Sequence, residues 1–165
     1  YGLVGSEMCI RDSIAVVHGN FPAELTANGW LSPDPSTAIR KKRRFTFEQL
    51  PESERSETSF RLIKRCGDLS MVEAVPRTGR LHQIRATLFS LGYPMAGDKL
   101  YGIDDTFFTK FIDDRLTEDD RSRLLLPRQA LHAAELQMPF RGGELHATAP
   151  LPADIASLCG EPAGK

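Results

Sequence analysis

The 165-residue chain is poor in cysteine and has no long apolar run. Its three cysteines, Cys9, Cys66 and Cys159, are odd in number and far apart. That spacing predicts neither a disulfide framework nor a zinc site. A reducing compartment, the cytoplasm, is the expected location. No stretch approaches the roughly 18 apolar residues that a membrane helix needs. Residues 1–13 lack the basic segment and apolar core of a signal peptide. Internal repeats and low-complexity tracts are missing too, which excludes solenoid, collagen-like and mucin-like classes. What remains is ordinary: 41% hydrophobic and 26% charged residues, the balance of a chain that buries a core. At about 150 residues per domain, one domain is expected.

The net charge is −1, yet the charge is unevenly spread. Residues 40–101 hold 13 Lys and Arg against 7 Asp and Glu, and the rest holds 8 against 15. A basic middle inside an acidic periphery points to a surface that faces a polyanion.

Along the chain, Ile14-Ala15-Val16-Val17 reads as a buried strand, stopped by Gly19 and Pro22. Trp30-Leu31 is a second short apolar piece. Arg40, Lys41, Lys42, Arg43 and Arg44 run together, followed by an acidic stretch, 49–57, that reads as an exposed loop. Residues 58–65 and 69–75 alternate, and Gly67-Asp68 between them predicts a hairpin. Leu81, Ile84, Leu88 and Leu91 fall at gaps of three, four and three. That stripe predicts a helix over 80–91, docked through Leu81, Ile84 and Leu88, with Thr78 as N-cap and Gly92 just past its end. One or two helices are expected over 104–123, strands over 128–138 and 144–148, and a short terminal helix after Pro150. The class is α+β: a mixed, mostly antiparallel sheet with flanking helices.

The densest cluster of chemically able side chains is Arg77-Thr78-Gly79-Arg80-Leu81-His82-Gln83-Ile84-Arg85. A helix starting at Thr78-Gly79 would offer free backbone amides to an anion such as a nucleic-acid phosphate. The same pattern also fits a charged amphipathic helix with no ligand. His82 titrates near neutrality and so could move protons, though a structural hydrogen bond is the commoner use of a lone histidine. The basic run 40–44 fits a phosphate-contacting arm as well as an edge strand protected by charge. No metal-ligand spacing is present among the histidines or the acidic residues.

Three separated motifs add a resemblance. Gly79-Arg80-Leu81-His82-Gln83-Ile84-Arg85, then Leu91-Gly92-Tyr93-Pro94-Met95-Ala96-Gly97-Asp98-Lys99-Leu100-Tyr101-Gly102, then Arg128-Gln129-Ala130-Leu131-His132-Ala133 resemble the C-terminal signature of the RluA family of pseudouridine synthases. Ala149-Pro150-Leu151-Pro152 is similar to the closing segment of that family. The resemblance covers about residues 14 to 158.

It implies a pseudouridine synthase fold and an RNA substrate, ribosomal or transfer RNA, in which a flipped uridine is isomerised to pseudouridine. It implies one catalytic aspartate, no metal, no cofactor and no membrane; a monomer is expected. Arg85 matches the arginine that pairs with that aspartate, a pairing that keeps a semi-buried carboxylate ionised. Arg80, His82 and Gln83 match substrate-contacting positions, and residues 40–44 would contact RNA by charge alone. The family's aspartate lies in an H-R-L-D-x-x-T-S-G segment, which these 165 residues do not contain. Ser13 stands where the family places a base-stacking tyrosine. The stretch 1–13 also resembles a translated sequencing-adapter artefact. The expectation is therefore a tail over 1–13 and, over 14–160, the C-terminal part of a catalytic domain, inactive as given and with Arg85 left unpaired. The alternative is a non-catalytic RNA-binding module built on the same fold.

Overall fold

The computed structural model describes residues 10–160. Apolar alternation and turn residues build most of it as one antiparallel sheet. Its strands are β1 (Ile10–His18), β2 (Glu24–Pro33), β3 (Arg43–Thr46), β4 (Glu54–Cys66), β5 (Leu69–Pro76), β6 (Leu131–Phe140) and β7 (Gly143–Thr148). The helices are short: α1 (Gln83–Ser90), α2 (Phe107–Ile112), α3 (Glu118–Leu124) and α4 (Ala153–Ser157). The strand order is β3-β2-β4-β5-β1-β6-β7, and every pairing is antiparallel.

The Gly67-Asp68 turn joins β4 to β5 as expected, with Cys66 opposite Leu69 and Gly67 at φ 65°. The predicted loop over 49–57 is shorter than expected, because β4 already begins at Glu54. Ser56, Thr58 and Phe60 are buried on one side of that strand. The interior strand β1 carries the apolar run Ile14-Ala15-Val16-Val17, and Ala15, Val16 and Val17 are wholly buried. It begins at Ile10, so four residues of the stretch 1–13 lie in the sheet; the other nine are outside the described residues. Asp12 faces Glu135 of β6, next to a bulge. Ser13 is buried between Ala74 of β5 and Ala133 of β6.

Helix α1 packs on β2, β3 and β5 and buries Ala86 and Leu88. It starts three residues later than the apolar stripe predicts. His82, not Thr78, is its N-cap and lies in the left-handed region at φ 56°. The reason is Gln83. Its side chain reaches back to the 78–80 segment, so the chain must turn there before the helix can begin. Leu81 is consequently 46% exposed and does not dock the helix. Gly92, at φ 88°, ends it as expected.

The loop after α1 is a hub. Met95 bridges to Val17, the Ala96 amide donates to the Val16 carbonyl, and Ala130 donates to Ala96. Two glycines permit the close packing. A Cβ on Gly97 would lie 2.0 Å from the Arg128 carbonyl oxygen, and one on Gly102 would lie 1.9 Å from that of Asp98.

The expectation of no disulfide is overturned. Cys66, at the end of β4, is bonded to Cys159, just past α4, across 93 residues of sequence. Sequence spacing carried no sign of this pairing, because the two strand and helix ends meet only once the sheet and the C-terminal segment pack together. Among the described residues no helix is long and apolar enough to cross a membrane.

Candidate nucleic-acid interface

Arg85 projects from the first turn of α1 onto Asp98 of the hub loop. Its Nε lies 2.6 Å from one carboxylate oxygen and its Nη2 2.9 Å from the other. The Asp98 side chain is fully buried, and that of Arg85 is 17% exposed. Asp98 also accepts the amides of Leu100 and Tyr101, both at 2.9 Å. Four donors thus hold one carboxylate, two of them in the bidentate fork that suits a guanidinium. The expectation of an unpaired Arg85 is therefore wrong. Asp98, the partner it finds, is not singled out among the sequence candidates. Its signal was its place, thirteen residues after Arg85 in a glycine-bounded turn.

Behind this pair stand Tyr101 and His82. The Tyr101 hydroxyl accepts the Arg43 amide at 2.9 Å and lies 2.9 Å from His82 Nδ1. Burial, reinforced by the Arg85 charge, lowers the His82 pKa, so near neutrality the ring is uncharged. Burial also pushes the Tyr101 phenol up. The Arg85 guanidinium lies 5.0 Å from the centroid of the Tyr101 ring. Through Tyr101, the start of β3 at Arg43 is tied to the Arg85–Asp98 pair.

His82 and Arg85 face a cleft of about 500 Å³. Arg40, Lys41, His82, Arg85, Lys99 and Arg128 line it, with Phe108 and Phe111 from α2, and no carboxylate does. Such a lining concentrates positive potential in a concave, partly apolar site. Arg128 is held by both oxygens of Asp154, at 3.0 and 2.8 Å. Burial lowers the Lys99 pKa. Its ammonium donates to the Pro127 carbonyl.

The structure separates the other sequence candidates. Gln83 is buried, and its amide is consumed within the fold. The oxygen accepts Thr78 Oγ1 and the Arg80 amide, and the nitrogen donates to the Glu57 carbonyl and Thr58 Oγ1. Arg80 turns away from the cleft to the Arg55 carbonyl and Glu54. Within the basic run, Lys42 is buried, 3.9 Å from Asp34 and over the Phe89 ring. Arg43 and Arg44 are half-buried on β3, while Arg40 and Lys41 are exposed. The run therefore contributes two cations to the cleft rather than five. Asp12 is not beside Arg85. Burial, with Glu73 and Glu135 nearby, raises its pKa. No cluster of three or more metal-ligating side chains occurs among the described residues.

Residues 13–90 match the family model described as RNA pseudouridylate synthase. Over these residues the chain is similar to the RNA pseudouridine synthase family. An uncharacterised RNA pseudouridine synthase of Chloroflexus aurantiacus is 36% identical over 143 residues, covering 86% of this chain and 38% of that protein. The ribosomal large subunit pseudouridine synthase D of Nitrosomonas europaea is 38% identical over 105 residues, covering 62% and 28%. The chain thus spans well under half the length of these curated relatives. The fold agrees: human RNA pseudouridylate synthase domain containing 1 superposes with a TM-score of 0.69 at 20% identity, over 95% of this chain and 68% of that one.

Proposed function

We propose that this chain is the C-terminal part of an RluA-type catalytic domain, and that its cleft is the wall against which structured RNA, ribosomal or transfer, presents a uridine. The observation that carries this reading is the cleft itself. Its lining holds five Lys and Arg side chains and no carboxylate, and five of its residues, Ile39, Arg40, Lys41, His82 and Arg85, fall within the family-matched residues 13–90. Phosphate binding by such a surface is electrostatic and falls steeply with salt.

In this reading Arg85 is a shared cation. Its Nε and Nη2 are used by Asp98, and its outer Nη1 is left to steady a second carboxylate, the catalytic aspartate. No H-R-L-D-type segment lies within these 165 residues, so that group would come from outside them. The chain by itself should bind RNA and leave uridine unchanged. Incubation with uridine-containing ribosomal RNA, read by mass spectrometry of digested nucleosides, should give no pseudouridine. Turnover above background would refute the assignment of catalysis to an absent aspartate. We also infer a cytoplasmic, monomeric protein. The cytoplasmic inference rests on the RNA substrate class, and the disulfide weighs against it, since such bonds are uncommon in reducing compartments.

A further inference from the structure

We propose that the cleft beneath α2 holds one nucleotide of single-stranded RNA, with its phosphate on Arg40 and Lys41 and its base against the Phe111 ring. This rests on the RNA reading above and adds a subsite that none of the sequence motifs reaches. The argument starts from which cations are free. Arg85 is neutralised by Asp98 and Arg128 by Asp154. Lys99 donates to a backbone carbonyl and sits 4.7 Å from the Phe111 ring centroid. The side chains of Arg40 and Lys41 have no hydrogen bond or ion pair among the described residues, and both line the cleft. They are the pair that still needs an anion.

The second half of the ligand follows from α2. This helix turns Phe107 fully into the core, yet leaves Phe111, one turn later, 54% exposed on the cleft wall. A lone exposed aromatic is unremarkable on a protein surface. Here it stands among cations, in a cavity whose volume of about 500 Å³ suits a single nucleotide. An anion joined to a flat aromatic group is the chemistry of a nucleotide, and a stacking platform beside a basic groove is how single strands are held without base readout.

The test is fluorescence anisotropy of the 165-residue chain with a labelled octauridylate, across a salt series, with uridine monophosphate as competitor. Phe111→Ala and Phe111→Leu should each weaken binding by roughly tenfold without changing the salt slope. Arg40→Ala combined with Lys41→Ala should weaken it and flatten that slope by about one. Arg77→Ala, on a cation that pairs with Glu57 at 3.5 Å and does not line the cleft, should bind as the parent does. Thermal melts confirm that each variant is folded. If the parent binds and the folded Phe111 variants bind equally well, the subsite is overturned and the RNA reading stands. A folded parent that binds no RNA overturns both. Tight binding of the monophosphate without RNA binding reassigns the cleft to free nucleotides and also overturns the proposal.

Discussion

Asp98 carries more of the site than any motif residue around it. It is a buried anion with four donors, and Arg85 is the cation that forms its ion pair among the described residues. Removing one member of such a pair leaves an uncompensated charge. That commonly costs about 3–5 kcal/mol. Asp98→Asn should therefore lower the unfolding free energy by about 3 kcal/mol, measured as a shift of the urea midpoint at unchanged slope. A loss below about 1 kcal/mol, the range of exposed pairs, would show that the pair is solvated. Gln83 teaches the complementary lesson. Its place in a catalytic-looking motif makes it a substrate contact on paper, yet all four of its side-chain hydrogen bonds tie α1 to β4 and the preceding turn.

At the scale of the element, α3 shows how local sequence and pH meet. Thr117 caps it, accepting the Asp120 amide through its hydroxyl, while the Asp120 carboxylate accepts the Thr117 amide. Asp120 also pairs with Lys110 of α2 at 2.8 Å. The Lys110 hydrogen bond and the Thr117 amide bring its pKa down to about 2. The folded value is below the unfolded one, near 3.9, so the stabilisation is fully present above the unfolded value. It is lost as the pH falls through that value towards about 2. The difference in melting temperature between the parent and Asp120→Asn should therefore be constant at neutral pH and shrink between about pH 4 and pH 2. A difference that holds unchanged to pH 2 would refute it. The element scale also explains β3, an edge strand. Its outward amides at Arg43 and Phe45 are capped by Tyr101 Oη and Ser90 Oγ, so this edge is closed by side chains as well as guarded by charge.

Across the whole molecule, the Cys66–Cys159 bond joins residues 93 apart in sequence and pins the end of α4 to the β4–β5 hairpin. The same helix holds Arg128 through Asp154, so the C-terminal segment braces the cleft wall. Disulfides that close long loops typically contribute about 2–4 kcal/mol, chiefly by restricting the unfolded chain. Reduction, or Cys66→Ser, should lower the melting temperature by several degrees. An unchanged melt would mean the bond does not form in the protein. The net charge of −1 likewise has meaning only at this scale. Residues far apart in sequence bring five Lys and Arg side chains to one cleft with no carboxylate among them.

Much was legible before folding because it depends on neighbours in the chain. Alternating apolar residues specify strands, a Gly-Asp pair specifies the β4–β5 turn, and the three motifs carry the family likeness. The apolar stripe located α1 to within one turn. Its true start was hidden, because the Gln83 side chain, bonded to β4, decides it. The partner of Arg85, the burial of Lys42 and the disulfide were also beyond reach. Each depends on which distant segments the sheet order brings together, and periodicity along one chain holds no record of that. The sequence by itself determined most of the elements and the family likeness. The tertiary structure alone decided which charges are neutralised, which are left facing the cleft, and therefore where a polyanion can bind.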